Sequence, residues 1–259
     1  MRGRWIAIAL SLGLAATLAT RMPGREIVRQ GAARMAEGDV PGARARWCDA
    51  ATSPLVSAAI DYNLGVAWYR EGDAPRALAA WRAARARSPR DPDVAHNLAL
   101  ARARLEGVPA PVGPAVGWLA LVTPGEVGGL GAVLLGVASA LVGRWRAGRV
   151  RARAWALVGG LGLALGLVGI HAAWVQVRHP VAVVVDREAV LRAEPAAGAA
   201  ATGTLPAGSE VRTDGARGEW LLLRSGDGAR GWAHRDGVRL AGEVSDRSEC
   251  VIGGPSDGG

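Results

Sequence analysis

With 259 residues the chain is long enough for two small domains and a membrane segment, and half of its residues are hydrophobic. It carries a net charge of +8, and its lysine-plus-arginine content of 31 is arginine throughout. These arginines are dispersed over three segments and no nucleic-acid module accompanies them, so the charge reads as a coding bias and nucleic acid is excluded as a partner.

Residues Met1 to Arg4 are basic and Trp5 to Ala19 are apolar, with Thr17 and Ala19 at the −3 and −1 positions of a cleavage site. Residues 1–20 read as a signal peptide or an uncleaved signal anchor. Either places the following chain outside the cytoplasm. The two cysteines, Cys48 and Cys250, match no metal or redox spacing. A disulfide between them is open to a chain outside the cytoplasm, but sequence does not assign the pair.

Residues 24–107 repeat with a period of 34. Gly31 returns as Gly65, Glu37-Gly38-Asp39 as Glu71-Gly72-Asp73, Pro41 as Pro75, Ala43 as Ala77, Trp47 as Trp81 and Ala50 as Ala84. A third, shorter copy opens at His96-Asn97-Leu98. The spacing predicts five helices, at 25–37, 41–52, 57–71, 75–88 and 92–106, the last capping the stack. Gly72 ends one helix, Asp73 caps the next, and Trp47, Trp68 and Trp81 fill the core.

The motif Asn63-Leu64-Gly65, the aromatics Trp68 and Tyr69, the Gly72-Asp73 turn, the rhythm of Ala77, Trp81 and Ala84, and the closing Pro89 resemble the tetratricopeptide repeat. The first copy departs from it, with Arg34 where the second has Trp68 and Leu55 where it has Pro89. The third has Ala99 for the glycine. The resemblance implies a concave, partner-binding face on the first helix of each pair, carrying Tyr62, Asn63, Tyr69, Arg70, His96 and Asn97. Asn63 and Asn97 share a repeat position, which suits a grip on an extended peptide; as solvated surface residues they need no partner.

Residues 108–123 form a Pro-rich linker with an interfacial segment around Trp118. Two apolar stretches, 124–143 and 154–177, each reach the roughly 20 residues that a hydrocarbon core requires. Thr123, Pro124 and Glu126 read as a capping box that opens the first. The link 144–153 carries five arginines and no acid, so it is cytoplasmic and the parts flanking the hairpin lie across the membrane from it. Trp155 and Trp174 are spaced as interfacial anchors, roughly 29 Å apart along the helix. Ala132, Gly136 and Ala140 form one small-residue ridge, and Gly162 and Gly166 another, suited to close packing either on each other or on a partner protein. His171 has no acid partner in either span, which argues against a proton relay, a transporter or a channel.

From residue 181 to 242 the pattern changes to short strands: Val181–Val185, then 190–192, 210–212, 220–223 and 231–233, with turns near Pro195, Gly208 and Gly226 to Gly228. Leu191-Arg192 with Glu194-Pro195, then Leu205 and Gly208, Trp220, and Gly231-Trp232 resemble the bacterial SH3-like domain. Val190-Leu191 stand for the family's Asn-Val, and Glu194 for a Gly. The resemblance implies cell-wall or peptide binding, with Trp220 and Trp232 partly core and partly groove. Residues 243–259 are polar and glycine-rich and read as a disordered tail.

No nucleophile elbow, zinc-protease helix, phosphate loop or cysteine pair is present. No enzyme activity, catalytic residue, metal site or cofactor is therefore expected. The expected fold is multidomain: all-α tetratricopeptide-repeat helical hairpins, two transmembrane helices and a small all-β SH3-like barrel. That order resembles the BatE proteins of the Bat aerotolerance group. The resemblance implies a non-catalytic scaffold in the bacterial inner membrane, with both soluble domains periplasmic. It further implies partners with von Willebrand A domains and a MoxR-type ATPase. The other reading is a cell-envelope anchor whose SH3-like domain binds peptidoglycan.

Overall fold

The computed structural model describes residues 22–51, 56–109, 111, 123–146 and 152–240. The expected signal at 1–20, the segment around Trp118, the centre of the arginine-rich link and the tail lie outside them.

Five helices come first: α1 (Met22–Ala36), α2 (Val40–Ala51), α3 (Ala58–Arg70), α4 (Ala74–Arg87) and α5 (Pro92–Arg104). Each falls where the period predicts one. The repeat is also structural. Gly38 and Gly72 take the left-handed backbone, with φ of 85° and 89°, a conformation open to glycine because it has no Cβ. Past each glycine, Asp39 N donates to Arg34 O and Asp73 N to Trp68 O, both at 2.9 Å. The Asp73 carboxylate then accepts from Arg76 N at 2.9 Å and caps α4. Gly31 faces the indole of Trp47 and Gly65 that of Trp81, so closely that a methyl group at either glycine collides with the ring. Trp47, Trp68 and Trp81 are buried, as expected.

Two longer helices follow, α6 (Pro124–Arg146) and α7 (Ala152–Arg178). The expected capping box opens α6: Glu126 N donates to Thr123 Oγ1 at 3.2 Å, and Thr123 N donates to Glu126 Oε2 at 2.8 Å. The helices pack antiparallel. A Cβ on Gly131 would lie 2.6 Å from Gly166 N, and one on Gly162 2.9 Å from Leu135 N. Gly131 and Ala138 form the α6 side of this seam, whereas Ala132, Gly136 and Ala140 are exposed. The close backbone approach at Gly131 sets the face that meets α7, and Ala132, about 100° round the helix from it, lies with Gly136 and Ala140 on a face turned away from α7. Gly162 and Gly166 do lie at the seam. Leu130, Val133, Leu157, Leu161, Leu167 and Ile170 point outward and are more than half exposed. Within α7, Leu157–Val175 is long and apolar enough to cross a membrane, with mean hydropathy 1.8. The apolar run of α6, Gly125–Ala140, is shorter.

Seven strands complete the chain: β1 (Val181–Val184), β2 (Glu188–Arg192), β3 (Ala201–Pro206), β4 (Glu210–Arg217), β5 (Trp220–Ser225), β6 (Arg230–His234) and β7 (Val238–Leu240). They form one antiparallel sheet in the order β3-β2-β6-β5-β4-β1-β7, curled round a core that includes Leu191, Leu205, Val211, Leu221 and Leu223. The all-β domain follows the helical region as expected. Two strands, β3 and β7, are additional to the sequence reading. β3 opens with Ala201, Thr202, Gly203 and Thr204, all exposed, so it shows no apolar alternation.

β1 is buried on both faces. Ala182 and Val184 enter the barrel core, and Val183 enters the core of the helical repeats. The β-branched run Val181–Val185 fits this, because a strand covered on both sides is continuously apolar. The two soluble parts therefore share a packed interface.

Candidate binding surfaces

Three surfaces carry the chemistry. The first is the helical face inferred from the repeat. Tyr62 and Asn63 line a groove of about 350 Å³ with Ala58, Ser88, Asp91 and Asp93. Their positions follow from the Ser57 and Asp91 caps, which set the starts of α3 and α5 side by side. The Asn63 amide donates to Ala59 O at 2.7 Å, within its own helix. Tyr69 lies elsewhere on α3. Its ring is 5.5 Å from that of Trp81, and the Arg104 guanidinium sits 4.1 Å above it. Arg70 and His96 are exposed and Asn97 is half-buried. The structure thus brings Tyr62 and Asn63 into one groove, and places Tyr69, Arg70, His96 and Asn97 outside it. The acids Asp91 and Asp93 belong to the groove. Their only sequence signal was the cap position before Pro92.

The second surface is the outer face of the barrel. Strand pairing sets Trp220 opposite His234 and Leu222 opposite Trp232. Burial alternates along β5, so Leu221 and Leu223 point inward while Trp220 and Leu222 are half-buried on the outside. Trp220 meets His234 edge-on at 5.4 Å, and the Arg217 guanidinium lies 5.5 Å from the Trp232 ring. Trp220 and Trp232 thus share one aromatic face. Leu222, Arg217 and His234 belong to it as well. The alternation in Trp220-Leu221-Leu222-Leu223 was the signal for Leu222, but four consecutive apolar residues hide the period.

The third is the seam between the modules. Val183 and Glu210 are direct partners across β1 and β4 and so point to one side, toward the helices. Glu210 is 2% exposed, and its two oxygens meet the guanidinium groups of Arg82 on α4 and Arg102 on α5, the latter at 2.6 and 3.2 Å. Burial pulls the Arg82 guanidinium below its usual range, with Glu210 opposing. Asp61 on α3, which lines the cleft along this seam, accepts from Arg87 Nε at 2.7 Å. Burial raises its carboxyl above the usual value against that cation. Arg102 stands 34 residues beyond Trp68, the position of a buried aromatic in the second copy. That replacement was a sequence-level sign that the third copy meets a polar neighbour. α5 is the last helix of the repeat region, and Glu210 of the barrel meets its Arg102.

A cleft along this seam is lined by Cys48, Trp68, Arg76 and Ala80 from the helices and by Arg239 and Leu240 from β7. Cys48 is one half of a disulfide; Cys250 lies outside the described residues. At the other end of β1, Thr213 N and Oγ1 donate to Pro180 O at 3.0 and 2.9 Å, and His179 Nδ1 lies 3.2 Å from Thr213 O. These contacts join α7 to the barrel. Among the described residues, no three His, Cys, Asp or Glu side chains cluster as a metal site would need.

These features define a small all-β module seated on a helical repeat module. The family model of the bacterial SH3 domain matches residues 188–239. The match begins at β2, so β1, the strand that enters the repeats, lies before it. No curated protein and no solved structure matches the chain.

Proposed function

We propose that this protein is a membrane-anchored, non-catalytic scaffold. The observation that carries the reading is the seam: a repeat module and a bacterial SH3 domain share the buried Arg82–Glu210–Arg102 contact and Val183, at the end of an apolar helical hairpin. Two modules of binding type packed as one body offer a partner a surface that neither offers alone.

In this reading the repeats are of the tetratricopeptide kind and α6 and α7 enter the bilayer together. The apolar side chains that ring the hairpin support this, because such a surface is stable in lipid and costly in water. Both modules then lie outside the cytoplasm of a bacterial inner membrane. Their partners are protein chains, and the order of modules suggests a Bat-type complex with von Willebrand A domain proteins and a MoxR-type ATPase.

Crosslinking in native membranes, followed by identification of the captured chains, tests the scaffold. Recurrent capture of such partners through the repeats supports it; failure to capture any protein sinks it. Topology has its own test. A phosphatase fusion after Gly148 is expected to be inactive and one after Gly242 active.

The face of Trp220, Leu222, Trp232, Arg217 and His234 favours one second reading, a cell-envelope anchor that binds peptidoglycan. Sedimentation of the detergent-solubilised full chain with purified peptidoglycan, lost in Trp220→Ala and Trp232→Ala, would favour the anchor over the scaffold.

A further inference from the structure

We infer that the barrel rests on the bilayer that holds the hairpin, with the face of Trp220, Leu222 and Trp232 set among anionic phospholipid headgroups. The inference rests on the reading that α6 and α7 enter that bilayer. Strand direction carries it. β1 leads away from the end of α7, and β4 is antiparallel to β1. Arg212 pairs with Val181, Thr213 N donates to Pro180 O, and the Asp214 carboxylate lies 3.5 Å from His179 Nδ1. At Asp214, β4 has thus drawn level with the end of α7, and it packs against that helix. The rest of β4 and the start of β5 run on past the helix end, back toward the hairpin. They carry Arg217, Trp220 and Leu222, and β6 sets Trp232 and His234 beside them.

Depth and charge both match a headgroup layer. Trp174 lies roughly 7.5 Å along α7 before His179, and it is 51% exposed. Arg217, the strand partner of Trp220, lies roughly 10 Å along β4 beyond Asp214. Trp174 and Trp220 therefore share one level, and indoles favour the membrane interface. Each level also pairs arginine with indole: Arg178 with Trp174 and Arg217 with Trp232, both at 5.5 Å. Nearer the level of His179, Arg212, Arg224 and Arg230 stand directly opposite one another across β4, β5 and β6. Like charges so placed repel. One carboxylate, Asp214, accepts from Arg224 at 2.6 Å and lies 3.7 Å from Arg230. With Arg178 and Arg217, this end holds five arginines against the acids Asp214, Glu219 and Asp236. Lipid phosphates complement that excess, and they lie outside the layer that the indoles occupy.

The test uses the full chain in nanodiscs of phosphatidylcholine, pure or mixed with phosphatidylglycerol. Photoreactive benzoylphenylalanine replaces Trp220 in one protein. In a second it replaces Arg187, exposed beyond the far end of β1. After irradiation and trypsin, a phospholipid adduct is expected on peptide 218–224 of the first and none at position 187 of the second. Phosphatidylglycerol is expected to raise the adduct about fivefold for each arginine engaged. Arg217→Gln combined with Arg230→Gln should remove that rise. Equal lipid adducts at both positions, or adducts with added peptidoglycan fragments in place of lipid, would overturn the inference. A yield indifferent to phosphatidylglycerol would overturn its anionic part. The unaltered chain gives a second readout. Hydroxyl-radical oxidation of Trp220 and Trp232, measured against Met35 on α1, is expected to fall severalfold on adding phosphatidylglycerol, and no fall counts against the docking. A chain that does not enter the disc refutes the bilayer reading and this inference together. A chain that enters without the adduct refutes this inference alone.

Discussion

The repeat–repeat seam and the repeat–barrel seam solve the same problem with different chemistry. Between helices of one repeat, a glycine meets an indole: Gly31 with Trp47, Gly65 with Trp81. The contact is apolar, periodic and local. Between repeat and barrel, Arg102 occupies the position that Trp68 holds one period earlier, and reaches Glu210 more than a hundred residues away. Among the described residues, Val183 is the buried apolar side chain that the barrel adds to the core of the repeats. An apolar socket gives stability wherever it recurs. A buried charge triad gives little net stability, but it penalises every arrangement that leaves one member unpaired.

Predictions that break this comparison can be ordered by size, each read by urea unfolding in detergent micelles. Trp81→Ala empties a repeat socket and is expected to cost about 4 kcal/mol. A smaller loss than that of Glu210→Ala would invert the ranking of the two seams. Glu210→Ala leaves Arg82 and Arg102 facing a buried gap and is expected to cost about 2–3 kcal/mol, discounted for the exposure of Arg102. Hydrogen exchange should then rise in α5 and β1 while the barrel core stays protected. The triple change Arg82→Met, Arg102→Met and Glu210→Met is expected to be neutral or stabilising, and a large loss would show that the charges themselves hold the seam. Val183→Ala removes the apolar part of the seam and should cost about 1–2 kcal/mol.

Two smaller effects sharpen the picture. The Trp81 indole N–H donates to Tyr62 O at 3.0 Å, whereas the buried Trp47 N–H has no hydrogen-bond partner among the described residues. Trp81→Phe should therefore cost about 1 kcal/mol more than Trp47→Phe; equal losses would show that the bond adds nothing. The smallest effect is in pH dependence. The Asp61 carboxyl titrates above its ordinary value of 3.8 because it is buried. From that value up to its raised one, the folded state binds more protons than the unfolded state, so this group makes stability fall as pH rises through the window. Asp61→Asn should remove that part of the slope, and an unchanged pH profile would refute it.

Much of the helical region was legible in the sequence. A 34-residue echo places glycine, aspartate and tryptophan at fixed offsets, and each has a local role: Gly72 turns, Asp73 caps, Trp81 fills the space over Gly65. The capping box at Thr123 and Glu126 was legible for the same reason, since its partners are three residues apart. The inward side of the barrel could be read from Val211, Leu221 and Leu223, but not β3, whose residues are too small and exposed to show a period. The candidate sites were half legible. Trp220 and Trp232 stood out by residue type, whereas His234 and Leu222 join them only through strand pairing. Of the helical face, Tyr62 and Asn63 share a groove, but Asp91 and Asp93 enter it from the next helix.

The sequence by itself determined the repeat, its turns and caps, the apolar hairpin and the strand-rich end, because those features depend on contacts within a few residues or on a fixed period. Tertiary structure alone decided which face of α6 meets α7, and that Val183 belongs to the repeats while its neighbours Ala182 and Val184 belong to the barrel. It alone decided that Glu210 is the partner of Arg82 and Arg102. Side chains of one strand alternate between two cores, and nothing in their chemistry says which core lies on which side until both are built. A carboxylate, likewise, finds its guanidinium partners across a hundred residues only when packing brings them together.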